Sequence, residues 1–354
     1  MADLGSTGEQ QSSPTDAQAF APGSAQVLVA GATGFAGALA AHLLWRHPGF
    51  ELVGITGRSE TGRRLDDLYP RYRVPLEIAP LDLDDLGQID AAIVAYPHAA
   101  AAPTVGALLD HGVRVVDLSA DFRLSDLATY ERWYGPHPRP ELLPHAVYGL
   151  TEFHRERIAT ARLVANPGCY PTASVLGLAP LARAGLIADV VIDAKQGLSG
   201  AGRTFDDTTH MSMAGENITP YKVAKHRHTP EMEEQLALLG ADLPVQFQAH
   251  LVPLDQGEMA SCYVTPTRPV PEDELLALYH DAYAAEHFVE VVDAPPGVRE
   301  VRETNFCRLF AAADTHTGKL LVFSAIDNLW KGTSSQAIQN LNLMFGLPET
   351  AGLL

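Results

Sequence analysis

The chain has 354 residues, 46% hydrophobic and 19% charged, and its 25 Lys and Arg against 43 Asp and Glu give a net charge of −18. That length holds two ordinary domains, and a field of that sign repels nucleic acid. No apolar run approaches the ~18 residues that cross a bilayer. Cys169, Cys262 and Cys307 form no CxxC pair, which fits a soluble protein of a reducing, cytoplasmic compartment better than a zinc module or a disulfide scaffold.

Residues 1–24 are rich in Ser, Gly, Gln and Pro and contain no Lys or Arg. They lack the marks of a secretory or transit signal and read as a disordered tail. Residues 26–30 (QVLVA) then form a buried strand, followed by a glycine turn, a helix over 38–46 and a second strand over 51–55. A strand at 91–95, a helix at 104–111 and a strand at 114–117 continue the alternation, which means βαβ units and a parallel sheet. Residues 133–149 carry four prolines and read as mostly irregular. Beyond them the pattern predicts a helix over 172–184 and a strand over 190–195, then a long Gly/Ser/Thr/His-rich stretch to His228. Runs at 245–251, 260–265 and 320–325 alternate in the antiparallel manner, with helices near 272–285 and 334–344, so the second half reads as a mixed-sheet domain.

The turn Gly31-Ala32-Thr33-Gly34-Phe35-Ala36-Gly37 lies directly between a strand and a helix. Its glycines let the backbone approach a pyrophosphate, and the helix N-terminus meets that charge. An Asp or Glu at the end of the second strand would hold a ribose 2′-hydroxyl. This chain has Arg58 and Ser59 there instead, groups suited to a 2′-phosphate, so NADP is the expected cofactor.

Cys169, in Asn166–Thr172 (NPGCYPT), follows an apolar strand and stands at or just before a helix start. The positive end of the helix dipole is expected there to lower its thiol pKa and make it a nucleophile. The stretch Tyr221–His228 (YKVAKHRH) holds Lys222, two histidines and no acid, a local counter-field for an anionic substrate. His226 and His228, two apart, share one face of an extended segment. The pair suggests either a base or a metal site, and no third ligand stands at supporting spacing. Thr229-Pro230-Glu231 reads as N-cap, N1 and first-turn acid of a helix whose positive end keeps an imidazole neutral. Arg203, closing Ser199–Arg203, and Arg123 are the candidate clamps for substrate phosphate or carboxylate. Gly197–Ala201 is not a GxSxG elbow, so a serine hydrolase is not supported.

Six segments together resemble the N-acetyl-gamma-glutamyl-phosphate reductase family, the arginine-biosynthesis branch of the aspartate-semialdehyde dehydrogenase superfamily. They are GATGFAG at 31–37, SADFRL at 119–124, NPGCYPT at 166–172, LSGAGR at 198–203, KHRHTPE at 225–231 and IDNLWKG at 326–332, in family order. The resemblance implies an α/β fold: a Rossmann-type dinucleotide-binding domain (25–168), a mixed-sheet α+β catalytic/dimerisation domain (169–325) and a C-terminal helix (326–354) returning to the first. It implies Cys169 as acyl acceptor, His226 as general acid/base, His228 as a substrate contact with Lys222, Arg123 and Arg203, and Asn328 near the nicotinamide. The expected reaction is NADPH-dependent reduction of N-acetyl-L-glutamyl 5-phosphate through a cysteine thioester, without a metal, in a homodimer or homotetramer. The alternatives are a reductase of carrier-bound aminoadipyl phosphate in lysine biosynthesis, and a non-catalytic NADP-binding sensor, which would not need the Cys169/His226 pair. Two segments depart from the family pattern: Tyr96-Pro97-His98-Ala99, where the family has Leu-Pro-His-Gly, and Gln196, where its commoner residue is Ser.

Overall fold

Short apolar runs, each closed by a turn, build the first sheet. The computed structural model describes residues 25–84, 87–203 and 207–354, so the tail expected at 1–24 lies outside the described residues. The strands are β1 Ala25–Ala30, β2 Phe50–Thr56, β3 Ile78–Ala79, β4 Ala91–Val94, β5 Arg114–Asp117, β6 Ala146–Tyr148 and β7 Leu163–Ala165. They pair in the order β3-β2-β1-β4-β5-β7-β6, every pair parallel. Strands β4 and β7 are buried at every residue, as parallel strands covered on both faces must be. Because the order turns back between β1 and β4, a crevice opens beyond their C-terminal ends.

The second sheet holds β8 Ile187–Gln196, β9 Thr219–Tyr221, β10 Gln246–Leu251, β11 Glu258–Pro266, β12 Val289–Val291, β13 Cys307–Ala313 and β14 Leu320–Ile326. Its order is β12-β13-β14-β11-β8-β10-β9. Strand β10 departs from the antiparallel expectation: it runs parallel to β8 and antiparallel only to the short β9. The chain between β8 and β10 includes the helix Thr229–Leu238, and a helical crossover returns a strand in the same direction.

The helix Cys169–Arg183 lies against this second sheet, with Val175, Leu176, Leu178 and Leu181 fully buried alongside Ile192, Cys262 and Val322. Each such side chain contributes about 1.5–3 kcal/mol through burial. Tyr279 donates its hydroxyl to Gly177 O at 2.6 Å, and Tyr283 donates to Leu176 O, which pins the helix from its other side. Strand β7 therefore belongs to the first sheet and the helix that follows it to the second, so Cys169 stands where the two halves meet. The last helix, Ser335–Met344, buries Ile338 and Leu341 with Val29 and Leu39 of the first half.

Residues 133–149 are more regular than their prolines suggested. Pro140 opens a 3-10 turn, Pro140–His145, and β6 follows it. The helix Thr151–Thr160 (TEFHRERIAT) buries only Thr151, Glu152 and Ile158, too narrow an apolar face for the hydrophobic pattern to reveal. No helix among the described residues is long and apolar enough to cross a membrane.

Candidate active site

The glycine turn is built for close approach. Gly31 has φ +97°, and a Cβ there would fall 2.6 Å from Ala95 O, while one on Gly37 would fall 2.2 Å from Gly31 O. A Cβ on Gly34 would meet nothing, so its backbone faces open space at the start of the helix Phe35–Trp45. The first-turn N–H groups of a helix lack intrahelical partners and hold phosphate. A groove of about 550 Å³ beside this turn is lined by Gly31, Thr33, Gly34, Arg58, Ser59 and Arg203. Arg58 lies over the Tyr96 ring at 4.5 Å and donates to Ala100 O at 3.1 Å. These residues fit a dinucleotide.

Arg203 lines both the nucleotide groove and the cavity that reaches Cys169. It donates to Thr33 O at 3.4 Å and pairs with Glu60 at 3.1 Å, because the turn after β8 arches onto the first domain and delivers the guanidinium to the nucleotide groove. Arg123 is tied to the turn that carries Cys169. Buried, it donates from Nε to Asn166 O and from Nη2 to Leu118 O, both at 2.8 Å, and pairs with Glu231 at 3.4 Å. Glu231 in turn accepts the Gly168 N–H and the Tyr148 hydroxyl at 2.8 Å each. Arg123 thus braces the turn that carries Cys169 with three of its five N–H groups.

Cys169, the first residue of its helix, lines two cavities at once. One, of about 400 Å³, runs from Gly34, Phe35 and Gly37 past Tyr96 to Asn328. The other, of about 510 Å³, is bounded by Tyr170, Lys222, His226, Arg227 and His228. Asn328 is fully buried, its Oδ1 accepting the Gly257 N–H at 2.8 Å and its Nδ2 donating to Ser199 Oγ at 3.0 Å. Gln196 donates from Nε2 to Cys169 Sγ at 2.8 Å and to Glu258 Oε2 at 2.7 Å. The thiol is not acidified as the helix-dipole argument expected. Burial, and then the Glu258 carboxyl beside it, push Cys169 well above the ordinary thiol range. Burial likewise raises Glu258 to about 8.

The histidine segment is a turn rather than an extended run. Lys222 and Ala224 have φ of +48° and +56°, and His228 is near helical at φ −80°, ψ −11°. His228 occupies the N-cap position with Thr229 as the first helical residue, so Thr229 does not cap. The two rings still meet, 5.0 Å apart, both on the cavity wall. His226 Nδ1 accepts the His228 backbone N–H at 3.2 Å. Burial, aided by Lys222 and Arg227, lowers His226 to about 3, and burial holds His228 well below the imidazole range.

In the departing Tyr96–Ala99 turn, Ala99 adopts φ +62°, and its N–H donates to Asp121 Oδ1 at 2.7 Å. The left-handed backbone that glycine takes freely is thus kept at a cost of about 1–2 kcal/mol. Among the described residues no three His, Cys, Asp or Glu are grouped as metal ligands. Sequence reasoning missed Glu258 and His98. The signal for Glu258 was an acid at an inward position of a strand, between Gly257 and Met259.

Fold and site define a dinucleotide-linked oxidoreductase of the semialdehyde dehydrogenase type. Residues 26–161 match the semialdehyde dehydrogenase NAD binding domain, and residues 169–328 match the semialdehyde dehydrogenase dimerisation domain. Curated proteins named N-acetyl-gamma-glutamyl-phosphate reductase are similar over nearly the whole chain. The one from Desulforudis audaxviator is 50% identical over 93% of this chain and 98% of its own, and that from Moorella thermoacetica 46% identical over 92% and 96%. The chain belongs to the N-acetyl-gamma-glutamyl-phosphate reductase family. Its matched dimerisation domain makes it a self-associating protein. In fold it is similar to aspartate semialdehyde dehydrogenase II of Vibrio cholerae complexed with ASA (TM-score 0.70, 18% identity, 91% of this chain and 98% of that one). The aspartate semialdehyde dehydrogenase with NADP from Candida albicans has a TM-score of 0.67 at 15% identity, over 91% and 98%.

Proposed function

We propose that this chain reduces N-acetyl-L-glutamyl 5-phosphate to N-acetyl-L-glutamate 5-semialdehyde and phosphate with NADPH, in arginine biosynthesis, as a cytoplasmic homodimer or homotetramer. The observation that carries the reading is Cys169 on the shared wall of the dinucleotide groove and a cavity rimmed by Lys222 and Arg227. In a chain of charge −18, that cationic rim supplies the field an acyl phosphate needs.

Cys169 Sγ attacks the acyl carbon, phosphate leaves with the electron pair of its bond to that carbon, and a thioester forms on the enzyme. Bound NADPH supplies the hydride that reduces this thioester. Arg58, Ser59 and Arg203 would hold the nucleotide phosphates, with Gly31, Thr33, Gly34, Phe35 and Gly37 forming the cradle and Asn328 lining the end of the groove nearest Cys169. His226 serves the substrate oxygen as a hydrogen-bond donor, in place of the acid/base role its motif implies. Its Nδ1 accepts a backbone N–H, so the proton of the neutral ring sits on Nε2 and is held against the developing oxyanion. Collapse of the thiohemiacetal releases the aldehyde and the cysteine. His228 and Lys222 line the cavity as substrate contacts.

Reduction of NADP by N-acetylglutamate semialdehyde in the presence of phosphate tests the reading, with aspartate and aminoadipate semialdehydes as competitors. Preference for the aminoadipate compound would transfer the protein to the lysine branch. Binding of NADP without turnover of any of them would make it a sensor.

A further inference from the structure

The proton of the Cys169 thiol has no destination in the scheme above. His226 carries its proton on Nε2 and is buried beside two cations. Giving that proton away would leave an imidazolate, and gaining a second would bury a positive charge beside Lys222 and Arg227. The thiol itself sits in a site that opposes its ionisation.

One carboxyl in the cavity wall is unused. Glu258 opens β11 directly opposite Gln196 on β8 and is fully buried. Its Oε2 accepts from Gln196 Nε2 at 2.7 Å, the same nitrogen that reaches Cys169 Sγ at 2.8 Å, and its Oε1 has no hydrogen-bond partner. A buried carboxyl oxygen without a donor is costly, and the Cys169 thiol is the neighbouring acid that interacts with this carboxyl. The groups facing it are Cys169 from the helix Cys169–Arg183, Asp327 just after β14, Tyr170 and Tyr221 across the cavity, and Cys307 on β13. None of these is a cation, so Glu258 is free to carry a proton rather than being fixed as a paired anion.

We propose that Glu258 takes the Cys169 thiol proton as the sulfur attacks the substrate, and returns it when the sulfur leaves. In the first half, which requires Glu258 ionised and so gains as pH rises, the S–H bond breaks toward the Glu258 carboxylate, the sulfur pair forms the bond to the acyl carbon, and phosphate departs. In the second half the oxyanion re-forms C=O, the C–S bond breaks with its electron pair on sulfur, and the Glu258 proton restores the thiol. Each proton lost in the first half is regained in the second, and His226 stays neutral throughout. Gln196 positions the pair by donating to both members. This rests on Cys169 being the nucleophile.

Two groups that share one proton titrate in two steps belonging to the pair. The test follows iodoacetamide alkylation of Cys169 in the intact protein by peptide mass, from about pH 5 to about pH 11, with turnover measured alongside. The wild type should show two limbs. Glu258→Gln should collapse them to one and slow turnover by about 10²–10⁴-fold, whereas Glu258→Asp should keep both limbs, displaced, with part of the turnover. Two limbs persisting in Glu258→Gln, or turnover within about threefold of wild type, overturn the proposal. Should Glu258→Gln not fold, limbs at identical pH in Glu258→Asp and wild type overturn it equally. Collapse of the limbs in a protein inactive toward every semialdehyde leaves the proton pair standing and rejects the substrate reading instead.

Discussion

His226 Nδ1 accepts the backbone N–H of His228 at 3.2 Å, and that bond turns the protonated Nε2 of the first ring toward the cavity. The imidazole is thereby a hydrogen-bond donor with fixed direction. His226→Ala should lower kcat by about 10²–10³-fold, the usual loss of one oxyanion donor, with KM changed much less because Lys222 and Arg227 remain. Burial holds His226 neutral down to about 3, so wild-type kcat/KM should show no limb near the ordinary imidazole pKa. A limb near 6.5 that vanishes in the His226 variant contradicts this assignment.

Arg58 and Arg203 reach the same groove from opposite domains. Each charge-assisted contact is worth about 1.5–3 kcal/mol, or roughly 10–100-fold. Arg58→Ala should weaken NADPH by that factor and NADH far less. Arg203→Ala should also raise the KM for NADPH while leaving that for the acyl phosphate nearly unchanged. Titration of the two cofactors and of substrate separates these outcomes, and a substrate effect alone would return Arg203 to the role its motif first suggested.

Lys331, in the IDNLWKG segment, is a structural tie. Its Nζ meets Glu152 at 2.6 Å with both side chains buried, and it also donates to Gln339 Oε1 at 2.9 Å. Lys331→Met should cost about 3–5 kcal/mol by stranding a buried carboxylate, and adding Glu152→Leu should recover most of that. Denaturant unfolding of both variants reads the difference, and an additive loss in the double variant contradicts it.

Acid should loosen the fold through histidines whose pKa is depressed. His98 is lowered to about 4, first by burial and then by Arg123. The unfolded chain takes up this proton below about 6.5 and the folded chain does so only nearer 4, so its contribution to stability falls as pH drops through that window, by an amount that solvent screening of the exposed ring keeps small. Asp117 and Glu258, raised to about 7 and about 8 chiefly by burial, act oppositely, since the folded state keeps their protons longer. The comparison to make is therefore between wild type and His98→Asn across this window. The variant's stability should fall less on acidification, and parallel curves contradict the argument.

What the sequence disclosed was local. GATGFAG and NPGCYPT carry their reasoning within seven residues, because a glycine turn and a helix start are short-range structures. The partners of Arg203, Thr33 and Glu60, lie on the other domain, and Glu231 and Asn166 reach Arg123 only in three dimensions, so neither setting was legible locally. The thiol's environment was misjudged for the same reason. A helix terminus is legible from Gly168 and Pro171, but burial and a carboxyl from β11 outweigh its dipole. The direction of β10 was hidden because alternation fixes which face is buried, not which neighbour pairs.

The proposed reaction carries an acyl group on Cys169 between its two half-reactions. Given N-acetylglutamate semialdehyde and NADP without phosphate, the enzyme should form about one equivalent of NADPH per site and stop. Peptide mass spectrometry should then find the N-acetylglutamyl group on the peptide containing Cys169, and added phosphate should discharge it. Steady turnover without phosphate, a burst with no adduct on Cys169, or full activity in Cys169→Ser would contradict the account.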